Sequence, residues 1–227
     1  MIKLQEFHYV FDIETIPLPK EQRMFSKPTE DSIKYGNLKD PIKRKDKYDE
    51  ALVAWETGED AALRPETGRV AMIGICTEDN PVEIIEGGET NDEISILCEF
   101  WDTLGEMTRD RDMVIGFNSN NFDVPFLIKR SLILGVEVFP CFRLDISHYH
   151  PSIFIDLMQM WAFGVKGEYI SLKYLCGAMG IPVKEGPVEG KDFFKWWAGG
   201  NEKRELCREY CRQDVDATRN LAVRLGY

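Results

Sequence analysis

Along the chain, short apolar runs that end at turn-forming or charged positions alternate with longer stretches whose apolar residues recur every three or four places. The short runs predict strands near Tyr9–Ile13, Val70–Cys76, Val82–Ile85 and Met113–Gly116, with a shorter one near Phe154. The longer stretches predict helices near Asp92–Thr108, Val124–Gly135 and Leu172–Met179, and a long final helix from about Glu202 to Arg224. A tight Glu78-Asp79-Asn80-Pro81 turn makes the early strands antiparallel neighbours, and strand-helix units follow. The pattern is α/β, a mixed sheet with helices on its faces.

One segment interrupts this order. Between the first two strands, from about residue 18 to 68, lies an insertion with a helical pattern over Tyr48–Ala62. From Lys20 to Lys47 it carries nine Lys and Arg against five Asp and Glu, a local +4 in a chain whose net charge is −11, so the remainder stands at −15. Such a basic excursion is either a solvated surface segment or an arm that contacts substrate. With no repeat or interdomain linker, residues 1–227 read as one domain carrying that insertion.

At 227 residues with 44% hydrophobic composition the chain can bury a sizeable core, which excludes wholesale disorder. Its apolar runs fall far short of the roughly 20 residues a bilayer span needs. The amino-terminal MIKLQEFHYVFDIE lacks the order of a secretory signal, so a soluble, cytoplasmic protein is expected. The six cysteines make neither a disulfide framework nor a CxxC zinc pair, and read as reduced thiols, mostly in the core. Net acidity lowers the odds of a broad nucleic-acid surface, although the distribution of charge matters more than its sum.

Carboxylates stand at places where a fold alone would not favour them. Asp12 and Glu14 close the first apolar strand two positions apart, and so point the same way. Asp123 follows the polar turn Asn118-Ser119-Asn120-Asn121 after a buried strand; a helix cap alone would account for it. On the final helix Leu206, Tyr210, Asp214, Ala217 and Leu221 share one stripe, which sets Asp214 on the face expected to pack on the sheet. A lone buried carboxylate there needs a cation, hydrogen bonds or a proton. If the four acids converge, each pair of charges about 4 Å apart costs roughly 4 kcal/mol at an effective dielectric of 20. Divalent Mg²⁺ or Mn²⁺ is the natural compensation.

In this order, the clusters resemble the three motifs of the DEDD superfamily of 3′–5′ exonucleases. Phe11-Asp12-Ile13-Glu14-Thr15-Ile16-Pro17 resembles the first, and Gly116-Phe117-Asn118 through Phe122-Asp123-Val124-Pro125-Phe126-Leu127 resembles the second in the form used by family-B DNA polymerases. Tyr210-Cys211-Arg212-Gln213-Asp214 resembles the third, with the Tyr-x-x-x-Asp spacing of the tyrosine subclass; the histidine subclass would place His where Glu209 stands. Ile170-Ser171-Leu172-Lys173-Tyr174-Leu175, then Gly180-Ile181-Pro182, resembles the helix before that motif. The likeness spans about residues 7–225, and the overall pattern is similar to stand-alone predicted exonucleases related to the proofreading domain of family-B polymerases. The length leaves no room for a polymerase's palm, fingers and thumb.

The resemblance implies a ribonuclease-H-like fold and metal-dependent 3′–5′ hydrolysis of single-stranded or frayed DNA to nucleoside 5′-monophosphates. It also implies that Asp12, Glu14 and Asp214 bind one of two divalent cations (Mg²⁺ or Mn²⁺), that Asp12 bridges to a second supported by Asp123, and that Tyr210 orients the attacking water. Thr15, Ile16, Asn118 and Phe122 are candidate substrate contacts; Lys173 and Lys184 could meet the phosphate backbone. A replication or repair protein is a possible partner. RNA trimming by the same machinery and a non-catalytic nucleic-acid-binding or docking module are the alternatives, the latter disfavoured because all four acids and the tyrosine are present. Other chemistries fare worse: Gly186–Asp192 is too short for a phosphate loop, and nothing near His148 and His150 completes a metal site.

Overall fold

The computed structural model describes residues 9–23, 27–58, 60–88, 92–105, 113–138, 153–163, 165, 167–183 and 186–227. Cys141, His148, His150 and Lys184 lie outside these. Contacts divide the chain into two compact units, one built from the first 14 residues and 70–227, the other from Thr15–Arg69.

The strands are β1 (Tyr9–Pro17), β2 (Gly68–Cys76), β3 (Glu83–Ile85), β4 (Val114–Gly116) and β5 (Phe154–Asp156), in the sheet order β3-β2-β1-β4-β5. β3 runs antiparallel to β2, while β1, β4 and β5 run parallel. This is the mixed ribonuclease-H-like sheet expected. In the first unit the helices are α2 (Glu93–Gly105), α3 (Asp123–Leu134), α4 (Leu157–Trp161), α5 (Leu172–Ala178), α6 (Phe193–Trp197) and α7 (Asn201–Leu225). The short α4 and α6 are additions to the sequence expectation, each being only five residues long and below the length at which periodicity shows. No described helix is long and apolar enough to cross a membrane.

Side chains alternate across the sheet and divide the core in two. Phe11, Ile13, Val114 and Phe154 join α2 and α3, with Phe100, Leu97, Phe126 and Leu127 fully buried among them. The other face sets Val10, Ile115 and Leu157 against Leu175 and Cys176 of α5 and Val215, Leu221 and Ala222 of α7. On the first face a buried ion pair, Arg130 to Glu93 at 2.5 Å, joins α3 to the start of α2, and Glu93 also accepts from the Val70 N–H at 2.8 Å. On the second, a Cβ at Gly74 would come within 2.9 Å of Cys211 Sγ and closer still to Val215, so only glycine lets α7 lie this near β2.

The second unit holds α1 (Pro41–Thr57), capped by Asp40, whose carboxylate accepts from the Ile42 N–H, and ended by Gly58 in the left-handed conformation. It begins seven residues before the predicted helical stretch because Asp40-Pro41 is a cap followed by a first-turn proline, a signal hidden inside the basic run. None of its residues is buried. Lys20 and Lys27 lie over the Trp55 ring and both pair with Glu56, and the Leu18 N–H donates to Thr67 O at 2.8 Å where the segment begins and ends.

Candidate active site

β1, β4 and β5 are parallel, so their carboxyl ends lie at one edge of the sheet, where loops and helix starts gather. A cleft of about 430 Å³ opens there, lined among others by Asp12, Asn118, Phe122, Asp123, Lys173 and Asp214. Three of the four acids, two candidate substrate contacts and one candidate phosphate contact thus share a single surface. They come from four separate stretches of chain.

Asp12 and Glu14 share a strand face, as their spacing predicts, with Glu14 buried and Asp12 half-buried. One oxygen of each lies with Cys211 Sγ in a group whose atoms are all within 4.8 Å of one another. Cys211, read from sequence as plain core, is therefore packed against the acidic pair. Burial drives its thiol well above the ordinary range, and the charges of Glu14, Asp12 and Asp214 push it further.

Asp123 is not a cap. Phe122 holds the capping position, and Asp123 is the first residue of α3, almost fully buried. Its carboxylate accepts from the Ile13 N–H of β1 at 3.2 Å, which pins the start of α3 to the strand between the two acids. Burial raises its pKa to about 7, against the backbone N–H groups of Ile13 and Asp123 itself and with help from the charge of Asp156.

The final helix corrects one expectation. Its buried face is Cys207, Cys211, Val215, Ala217, Thr218, Leu221 and Ala222, whereas Leu206 is 41% exposed. The sheet-facing stripe is rotated by about one residue position, so Tyr210 and Asp214 sit half-buried at its border and Asp214 turns to the cleft. Tyr210 stacks obliquely on Phe193 of α6, ring centroids 6.0 Å apart, and its hydroxyl lies 3.2 Å from where a Cβ would stand on Gly190. Burial, then the charges of Glu14, Asp214 and Asp12, drive the phenol far above its ordinary pKa. It stays protonated.

Asn118 has a positive φ of 61°, tolerated by asparagine, and its Oδ1 accepts from Asn121. Phe122 is half-buried, packed on Phe126 with centroids 5.5 Å apart, so it serves core and cleft together. Thr15 and Ile16 fall in the second unit, Thr15 half-buried and Ile16 buried on β1. Sequence reasoning missed Asp156. This buried carboxylate caps α4 through the Met158 and Gln159 N–H groups and also accepts from the Asn118 and Asn120 N–H groups at 2.9 and 3.1 Å. An acid between a strand and an apolar helix start was the available signal.

The oxygen-rich donor set suits a hard divalent cation: Asp12 and Glu14 are close enough to share one, and the raised pKa of Asp123 marks a buried acid that a nearby cation would keep ionised.

Residues 63–226 match the family described as predicted 3′-5′ exonuclease related to the exonuclease domain of PolB. The chain belongs to that family. Within the PolB-related exonucleases it resembles DNA polymerase 2 of Aeropyrum pernix, 28% identical over 172 residues, and the DNA polymerase of Archaeoglobus fulgidus, 26% identical over 172 residues. These alignments cover 70% and 71% of the chain but 20% of each polymerase, so the chain spans about a fifth of the relatives it matches. Its fold is similar to that of the family B DNA polymerase from the hyperthermophilic archaeon Pyrobaculum calidifontis, with a TM-score of 0.63 and 20% identity, over 98% of this chain and 24% of that one. The residues that match the family take in the second and third motifs, Gly116–Leu127 and Tyr210–Asp214, while the first motif lies before them. Exonuclease domains of this type use divalent metals.

Proposed function

We propose that this chain removes nucleotides one at a time from the 3′ end of single-stranded or frayed DNA, hydrolysing each phosphodiester to release a nucleoside 5′-monophosphate. The observation that carries the reading is the convergence of Asp12, Asp123 and Asp214 on one cleft, with Glu14 beside Asp12 and the Tyr210 phenol within the electrostatic reach of three of these acids.

Asp12, Glu14, Asp214 and Asp123 would hold the divalent cations, Mg²⁺ or Mn²⁺, whose bound form acidifies water and stabilises charge on the phosphate. The remaining work belongs to the side chains. A phenol held protonated by burial and neighbouring acids cannot take a proton from water at neutral pH, so Tyr210 positions the attacking water through its hydroxyl. Its orientation is set by the Phe193 ring and the close approach of Gly190. Phe122 offers a ring face to the terminal base, Asn118 a polar edge to the sugar or base, and Lys173 a cation to the next phosphate. Asp156 acts through others: two of its backbone bonds hold the turn that carries Asn118 and two cap α4.

The test is a 5′-labelled single-stranded DNA oligomer incubated with Mg²⁺ or Mn²⁺, beside an EDTA control, a matched RNA oligomer and the Asp214→Ala protein. A metal-dependent ladder shortening from the 3′ end, strongest on DNA and absent in the variant, is the expected result. Equal ladders from Asp214→Ala and the unaltered protein would overturn the site, and faster RNA trimming would overturn the substrate.

A further inference from the structure

We propose that Trp161, Phe163, Tyr169 and Tyr174 form a stacking platform for the single strand upstream of its 3′ terminus. The proposal rests on the exonuclease reading above and assigns a second, extended part of the same substrate to a surface outside the catalytic cleft.

These four side chains are exposed to unusual degrees for their size: 41%, 92%, 66% and 72%. Three of them stand next to a residue that lines the cleft. Trp161 is one helical turn beyond Met158 on α4, Tyr169 precedes Ile170, and Tyr174 follows Lys173 at the start of α5. Their neighbours Ile170 and Leu172 are partly buried against the core, while the Tyr169 and Tyr174 rings stay exposed, as does Val165. The core does not account for the aromatic positions.

Phe163 strengthens the point. Its φ of 49° is left-handed backbone, unfavourable for a bulky residue, and it is almost wholly exposed. Its N–H donates to Met160 O, which fixes the turn that carries the ring out. The Val165 N–H donates to Ala162 O across the same turn, so local backbone bonds hold the left-handed position while the ring itself stays exposed.

Charge selects the occupant. The net charge of −11 leaves little cationic surplus for holding a nucleic-acid backbone by charge alone. Stacking on aromatic faces holds a strand without it and tolerates any base, as an enzyme that trims successive nucleotides requires. Lys173, next to Tyr174 in the chain and also on the cleft, supplies a local cation for the phosphate that links the two regions.

The experiment compares Phe163→Ala/Tyr169→Ala/Tyr174→Ala with the unaltered chain on two substrates. One is a single strand of about 12 nucleotides; the other is the p-nitrophenyl ester of thymidine 5′-monophosphate, which occupies the cleft alone. The strand's kcat/KM should fall roughly tenfold or more, through KM, while the ester's stays within about twofold. Tyr169→Phe/Tyr174→Phe, which keeps both rings, should retain the unaltered strand activity. An undiminished strand rate in the triple variant, with both substrates still turned over, overturns the platform, leaves the exonuclease reading standing and assigns the rings to a protein partner. An equal loss on both substrates also overturns it, because the rings then act on the cleft. If the unaltered chain cleaves neither substrate, the exonuclease reading falls first.

Discussion

Asp123→Asn separates charge from packing at the most deeply buried acid of the cleft. The native carboxyl is 4% exposed and its pKa stands at about 7 instead of the ordinary 3.8. The folded protein therefore holds this proton more tightly than the unfolded chain does. Between pH about 4 and about 7 the native state carries the extra proton, so the group's contribution to stability is complete below that window and is lost as pH rises through it. The distance from 3.8 to about 7 corresponds to about 4 kcal/mol at pH 8, as an upper figure. Asparagine keeps an Oδ1 acceptor for the Ile13 N–H and does not titrate. In EDTA, urea unfolding should show the variant gaining on the unaltered protein as pH rises from about 4 to 8, approaching about 4 kcal/mol. Asp156, whose pKa is also raised by burial, is present in both proteins, so their difference reports Asp123 together with its charge coupling to Asp156. Added Mn²⁺ should restore the unaltered protein at pH 8 and help the variant less. A stability difference that stays constant from pH about 4 to 8 would refute the reasoning.

Two further outcomes follow from the same geometry. Tyr210→Phe keeps the ring against Phe193 and removes only the hydroxyl, so steady-state assays on a labelled oligomer should show kcat falling roughly a hundredfold with KM little changed. Asp156→Ala strands backbone N–H groups at four positions, and chemical unfolding should report a loss of about 2–4 kcal/mol, with Asp156→Asn recovering part of it.

Much of the site was legible because its residues break the pattern around them. Asp12 and Glu14 interrupt an apolar strand, and Asp214 recurs at helical spacing with core residues; each is conspicuous against a strong periodic background. The exact rotation of α7 was not legible. Two adjoining stripes, one led by Leu206 and one by Cys207, are both apolar enough to face a sheet, and close packing at Gly74 decides between them in favour of Cys207, Cys211 and Val215. The capping account of Asp123 fails because a cap and a first-turn residue differ by one position, and the Ile13 N–H it accepts from is 110 residues away and invisible to local spacing. The start of α1 was missed because charge, rather than the Asp40-Pro41 signal, dominated that stretch.

The bonds of Asp156 have a mechanical consequence for the cleft. One carboxylate fastens both the turn that presents Asn118 and the helix that presents Met158, and these residues stand on the cleft's lining. The two presentations behave as parts of one jaw with a shared anchor. Under the proposed function, a strand pressing on Asn118 would pull, through that anchor, on the first turn of the helix carrying Met158 and Trp161, so a single side chain would tune both the grip on the last nucleotide and the footing of the strand behind it.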